Sequence, residues 1–338
     1  MVPIASNGGL TRLNGRADVS EFWMRPVSFE GLHRILHVVA ANEAGYRASE
    51  LDSVINATGA YLTETGARPK RTTLYHCRNT LLRIGALGRR GRLLRPNLSN
   101  DSVVELLDHP STPAGTALAA NVADAFASLV LQTPDCVKHF FRLFVLDQSN
   151  MDAKWFRNHA SPVRWSESGN GSDRRAVLSS AHATCAEVLT EPVHFKSILY
   201  GVRRWALRQL HVIDEYCTAS SDVCMFPIRG QTPSLDHVIG QVLDVCRGSD
   251  EWTTVAIRSL IEHVCVAGHQ PLSVLWDALA TLFAQEGGRV AAIATSPRMA
   301  TLTAPSVARK EMELEAYYRD CKERVVSHIR VHKSLWEV

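Results

Sequence analysis

The sequence predicts a mainly α protein. Three short helices and a small β hairpin open the chain, and an all-α body follows them. Three observations carry this expectation. Apolar residues recur at three- and four-residue spacing over most of the 338 residues. A pair of short β-compatible runs brackets the turn Arg89-Arg90-Gly91 and is closed by Pro96. Charge is also divided. Residues 1–100 hold 14 Lys/Arg against 7 Asp/Glu, which leaves 23 against 27 for the rest. A small basic part joined to a larger, mildly acidic one suggests a polyanion-binding module with a separate body.

The elements follow in order. Residues 1–27 are rich in Gly, Asn and Ser, carry no period, and read as an N-terminal extension. From Ser28, a plausible N-cap, Leu32, Ile35, Leu36 and Val39 fall on one helical face, and Gly45 reads as a stop. Over RASELDSVINAT, Ser49 is expected to cap with Asp52 at the third position of a capping box, above the apolar face Leu51, Val54 and Ile55. A turn-rich link, Thr58 to Pro69, leads to a third helix over about 70–84. The hairpin GALGRRGRLLRPN closes a domain expected over residues 28–108.

Residues 109–338 read as an all-α domain for assembly or sensing. Helices are expected at 113–132, 135–147, 174–189, 192–216, 234–246, 251–266 and 271–285, with a long terminal one over about 306–335. The polar stretches 159–173 and 218–233 read as loops. Residues 289–304 are β-compatible around Ser296-Pro297, so a hairpin there, closing a degenerate second copy of the N-terminal arrangement, is an alternative. No repeat of fixed period is apparent.

The third helix has two kinds of face. At 100° per residue, Leu74, Cys77, Leu81, Leu82 and Ile84 point to one side and would pack on the first two helices. Thr72, His76, Asn79 and Arg83 occupy the other side, within about 60° of arc. These side chains can hydrogen-bond to base edges, with Asn and Arg suited to bidentate contacts with adenine and guanine. Lys70, Arg71 and Thr73 sit at the helix start, where the dipole and free N–H groups favour a phosphate. Arg89, Arg90 and Arg92 stand at the hairpin tip. From Arg68 to Arg95, nine of 28 residues are basic and none is acidic. Tyr75 and Cys77 read as core-flanking.

SELDSVI followed by TTLYHCRNTLLRIGALGRRGRLLRPN resembles helix 2, the recognition helix and the wing of winged helix-turn-helix DNA-binding proteins. Leu82, Ile84, Gly85 and Leu87 carry the ending of the recognition helix, and RRGR carries the wing turn. The likeness covers residues 28–97. It implies a duplex-DNA contact through Lys70, Arg71, Thr72, Thr73, His76, Asn79, Arg83, Arg89, Arg90 and Arg92. The helix 2–helix 3 link is longer than the pattern has.

Catalytic signatures are sparse. Asp135, Asp152 and Lys154 match the bare letters of the PD-(D/E)xK nuclease pattern, but Val137, Phe140, Phe141 and Phe144 recur at helical spacing between them. His211, Cys217 and Cys224, and His263, Cys265 and His269, lack the tight pairing of zinc modules. There is no P-loop, dinucleotide fingerprint, GxSxG or HExxH. Eight scattered cysteines, no apolar leader and no bilayer-length apolar run predict an intracellular, cytoplasmic protein with free thiols and no membrane partner.

The expectation is therefore a non-enzymatic double-stranded DNA-binding protein without cofactor or metal. Its helical C-terminal domain would hold a protein partner or a second copy. It would act as a transcriptional regulator or as the DNA-engaging subunit of a prokaryotic defence or mobile-element complex. The rivals are a protein-binding adaptor and, below it, a metal-dependent nuclease.

Overall fold

The computed structural model describes residues 27–63, 65–132, 144, 152–166, 203–217, 222–230, 233–294 and 326–336. Within these the chain is mainly helical, with small antiparallel sheets.

Helix α1 (Phe29–Ala40) starts where Ser28 accepts a hydrogen bond from the Gly31 N–H at 3.2 Å, with Glu30 in the first turn. Its predicted face, Leu32, Ile35, Leu36 and Val39, is fully buried. Phe29 anchors the helix, meeting Phe126 and Trp205 edge-on at 5.0 and 5.2 Å. Helix α2 (Ala48–Thr58) is capped differently from the expectation. Arg47 is the N-cap, its N–H donates to Glu50 at 2.9 Å, and Ser49 lies inside the helix. Leu51 and Ile55 are buried and Val54 half-buried. Helix α3 (Arg71–Arg83) is followed by β1 (Leu87–Arg90) and β2 (Leu93–Pro96), paired Arg90 to Leu93 at the turn. Gly91 makes that turn at φ +64°.

Gly45 does more than stop a helix. It lets Tyr46 bridge Leu94 of β2, and a Cβ at this position would lie 2.7 Å from the Leu94 carbonyl oxygen. Tyr46 thus adds a third extended segment to the hairpin, beside β2.

Helices α4 (Asp101–Asp108), α5 (Ala120–Gln132) and α6 (Ala153–His159) lead to a second sheet. Its strands are β3 (Val163–Ser166), β4 (Ile213–Cys217) and β5 (Asp222–Pro227), in the order β3-β5-β4. A π-helical segment, Arg203–Leu207, precedes β4. After α7 (Leu235–Cys246) come β6 (Trp252–Ala256), α8 (Ile257–Leu260) with its π-helical continuation Ile261–Val266, and α9 (Leu272–Gln285). Strands β7 (Val290–Ala294) and β8 (Val326–His332) complete a third sheet in the order β6-β8-β7.

Two sheets therefore stand where an all-α body is expected. Helix 192–216 gives way to β4, the start of 251–266 to β6, and the end of the terminal helix to β8. The polar stretches contain β3 and β5. A strand does occupy 290–294, but its partner is β8, and 295–304 lies outside the described residues. The helices expected at 135–147 and 174–189 lie outside them too, apart from buried Phe144.

The three units are locked together. Gln209 joins the first to the second, accepting the Phe29 N–H at 2.8 Å and donating to the Val27 carbonyl at 3.0 Å. Arg157 donates to the His211 and Ile228 carbonyls and to Asp124. Arg164 grips Glu262 with both terminal nitrogens at 2.7 and 2.6 Å, and the Tyr216 hydroxyl donates to the same carboxylate. Asp214 caps α9 by accepting the Leu272 N–H at 2.8 Å.

A buried histidine ties α1 to the segment after α4. The His33 Nε2–H donates to the Leu106 carbonyl at 2.8 Å, so its Nδ1 is the acceptor for the Thr112 hydroxyl at 2.7 Å. His37 Nε2 lies 3.2 Å from His33 Nε2. Burial lowers the pKa of both rings below the ordinary 6.5. His37, His109 and Arg34 push His33 further down. Folding then favours the neutral rings, so this stabilisation is complete above pH 6.5 and is lost as the pH falls below it. Each ring contributes a slope of at most about 1.4 kcal/mol per pH unit. Urea unfolding between pH 7.5 and pH 5 should show this loss, and a His33→Gln, His37→Gln variant should show a flatter acid side. An unchanged slope would contradict the assignment.

Candidate nucleic-acid interface

The seating of α3 comes from its apolar residues and one ion pair. Leu74, Cys77 and Leu81 are buried against α1 and α2, and Leu82 is half-buried. On the flank Arg78 donates to Asp52 of α2, and the side chains are only 12% and 17% exposed. Asp52 therefore does not close a capping box; it holds the third helix to the second. Burial lowers the Arg78 pKa, and the charge of Arg89 on β1 pushes it the same way, so the two cations stand close together.

Not all nine basic residues of the segment face solvent. Arg78 serves the α2–α3 contact. Arg95 turns inward, donating to the Ala44 carbonyl at 2.9 Å beside Gly45. Arg68, Lys70, Arg71, Arg83, Arg89, Arg90 and Arg92 remain exposed. Lys70 is the N-cap residue of α3, and its carbonyl accepts the Thr73 N–H at 2.9 Å. Arg71 and Thr72 are exposed in the first turn and Thr73 is half-buried. His76 and Asn79 are half-buried along the same side, and Arg83 is exposed at the end. Arg89, Arg90 and Arg92 surround the Gly91 turn. Asn97 closes the hairpin base by donating from its side chain to the Gly85 carbonyl at 3.0 Å.

The structure brings one further side chain to this face. Tyr75, expected at the core edge, is 52% exposed, and its ring meets His76 edge-on at 5.6 Å. Its angular position, about 60° from Thr72 on the Asn79 side, was available from the helical period. The aromatic character argued for the core and concealed it. Cys77 is buried as expected, and burial pushes its thiol up to about 12.

The other candidate residues have different surroundings. Asp152 is the N-cap of α6 and accepts the Trp155 N–H at 2.6 Å, while Lys154 is exposed in that helix's first turn. Asp135 lies outside the described residues. His211 and His269 both hold positive φ, 48° and 54°, and the His269 ring contacts the Pro227 carbonyl at 3.2 Å. Among the described residues no three His, Cys, Asp or Glu side chains gather as a metal site. No described helix is long and apolar enough to cross a membrane.

Replacing Asp52 by Ala should cost about 3 kcal/mol, because it leaves the Arg78 guanidinium in a half-buried site without its carboxylate. Arg90→Ala, at the exposed turn, should change stability by less than about 0.5 kcal/mol. Urea unfolding of the two variants checks the contrast. Equal, small effects would show that the ion pair does not hold α3.

Compared with known proteins, the chain matches no family model, no curated sequence and no solved structure.

Proposed function

We propose that this chain is a non-enzymatic double-stranded DNA-binding protein whose N-terminal unit acts as a winged helix, with the remaining units serving protein contacts. The observation that carries the reading is the sorting of one short segment into structural and solvent-facing cations. Two arginines are consumed in holding α3 and the hairpin, and seven basic residues remain exposed on the link, the helix and the hairpin turn. Further support comes from the element order. Three helices, an extended bridge between the first two and a terminal hairpin follow the winged-helix sequence, with α3 in the place of a recognition helix.

In this reading Arg71, Lys70 and the hairpin arginines hold phosphates and fix the register, while Thr72, His76, Asn79 and Arg83 meet base edges in the major groove. Arg89 near Arg78 places a second positive charge between α3 and the hairpin turn, and a bound phosphate would relieve that crowding. Duplex is favoured over structured RNA because the major groove of B-form DNA admits a helix and that of A-form RNA does not.

Fluorescence anisotropy with a labelled duplex should show affinity falling roughly a thousandfold between 50 and 200 mM salt. Arg83→Ala with Arg90→Ala should weaken binding and, through the phosphate-holding Arg90, reduce the salt slope by about one. Binding that is insensitive to salt, or unchanged in the double variant, would overturn the reading and favour an adaptor that holds another protein.

A further inference from the structure

All three sheets share one arrangement. In each, the last strand in sequence is central, the first pairs on one side and the second on the other, all antiparallel: Tyr46-β2-β1, β3-β5-β4 and β6-β8-β7. The outer units also agree element by element. Both begin with a helix capped by serine, Ser28 or Ser234, each accepting the N–H three residues on. Both then place an aromatic residue at the first extended segment, Tyr46 or Trp252, before the second and third helices and the closing strands. Uneven spacing between copies hides the correspondence from any fixed sequence period, and in the sequence only the β-compatible run at 289–304 hints at a second copy.

The sequences that precede the last two strands of each sheet echo one another once aligned by this topology. LYHCRNTLLR (74–83) corresponds to LYGVRRWALR (199–208) and to LWDALATLFA (275–284). The first two share Leu, Tyr, Arg, Leu and Arg at the same positions. The shared inner arginine forms a largely buried ion pair in both units, with a helix in one and a strand in the other. Arg78 pairs with Asp52, and Arg203 donates to Glu215 at 2.8 Å, with side chains 18% and 3% exposed. The shared terminal arginine faces solvent in both, as Arg83 and Arg208. Arg204, half-buried, stands at the position of Asn79. In the third unit the positions of Arg78, Asn79 and Arg83 hold Leu279, buried, and Ala280 and Ala284, exposed, so none carries a cation.

Contacts made by the neighbours of Arg208 lead toward α3. Gln209 holds the Phe29 N–H, and the adjacent Ser28 N–H donates to the Tyr61 hydroxyl at 3.1 Å. The charge of Arg204 reaches Tyr61 as well. Tyr61 begins the link that carries exposed Arg68 and Lys70 into α3. The π-helical segment Arg203–Leu207 and the approach to α3 therefore flank one seam.

We propose that Arg208, with Arg204 beside it, forms a second phosphate-contact site, which extends the α3 surface along the same duplex, while the third unit makes no such contact. This rests on the reading of α3 as a DNA interface, and the test separates the two. Anisotropy titrations of the full chain would use duplexes of about 20 and about 10 base pairs, roughly two turns and one. On the longer duplex Arg208→Ala should lower affinity about fivefold at low salt and reduce the salt slope by about one, and Arg208→Lys should restore the slope. On the shorter duplex the variant should bind like the parent. Arg247→Ala, an exposed cation removed from the third unit, should leave the slope unchanged and so exclude a general net-charge effect. An Arg208→Ala slope equal to the parent's, with Arg83→Ala, Arg90→Ala still lowering it, would overturn the second site alone. Loss only in Arg208→Ala would retain the second site and overturn the α3 reading; no loss in either would overturn both.

Discussion

The roll of α3 about its own axis is the constraint on which the rest depends. A helix docked by apolar side chains alone can rotate by a residue's width at modest cost when its buried stripe is short, and this stripe is only Leu74, Cys77 and Leu81 with part of Leu82. The Asp52–Arg78 ion pair removes that freedom. It fixes one flank to α2 and thereby sends Thr72, Tyr75, Asn79 and Arg83 outward together. A half-buried pair adds little net stability, because desolvation offsets attraction. Its value here is orientation: the wrong roll would leave both charges desolvated and separated.

A buried arginine ion pair recurs in the middle unit, where Arg203 and Glu215 tie the π-helical segment to β4. The chain thus buries one arginine of each segment in an ion pair and exposes another. The third unit has leucine, Leu279, at the building position and presents two alanines and one carboxylate. Bonds such as Arg164–Glu262 and Gln209–Phe29 join the units into one assembly, so a contact made by the first unit constrains where the second can reach.

Much of the first unit was legible in the sequence because its signals are local. Ser28 caps, α1 and α3 carry clean apolar faces, and Gly91 marks a turn that requires positive φ. The later strands were hidden for identifiable reasons. Strand β6 runs into α8 without a loop, and its N-cap, Ala256, offers no side-chain signal, so the helical period of Ile257, Leu260, Ile261 and Val264 extends back over it. Strand β4 follows a left-handed turn made by His211 rather than glycine, so no breaker announces it. In β8 a bulge at Ser327, opposite Ile293 and Ala294, spaces the buried residues as Val326, Ile329 and Val331. The first interval mimics a helix. Within the candidate interface, charge and spacing were readable, whereas the inward use of Arg78 and Arg95 needed partners distant in sequence.

Backbone hydrogen exchange of the full chain, with and without a saturating DNA duplex, tests the central claim most directly. The account predicts added protection over α3 and the β1–β2 hairpin, with α9 and the β6-β8-β7 sheet unchanged. Exchange over residues 71–96 that is the same in both states, while the duplex is demonstrably bound, would contradict it.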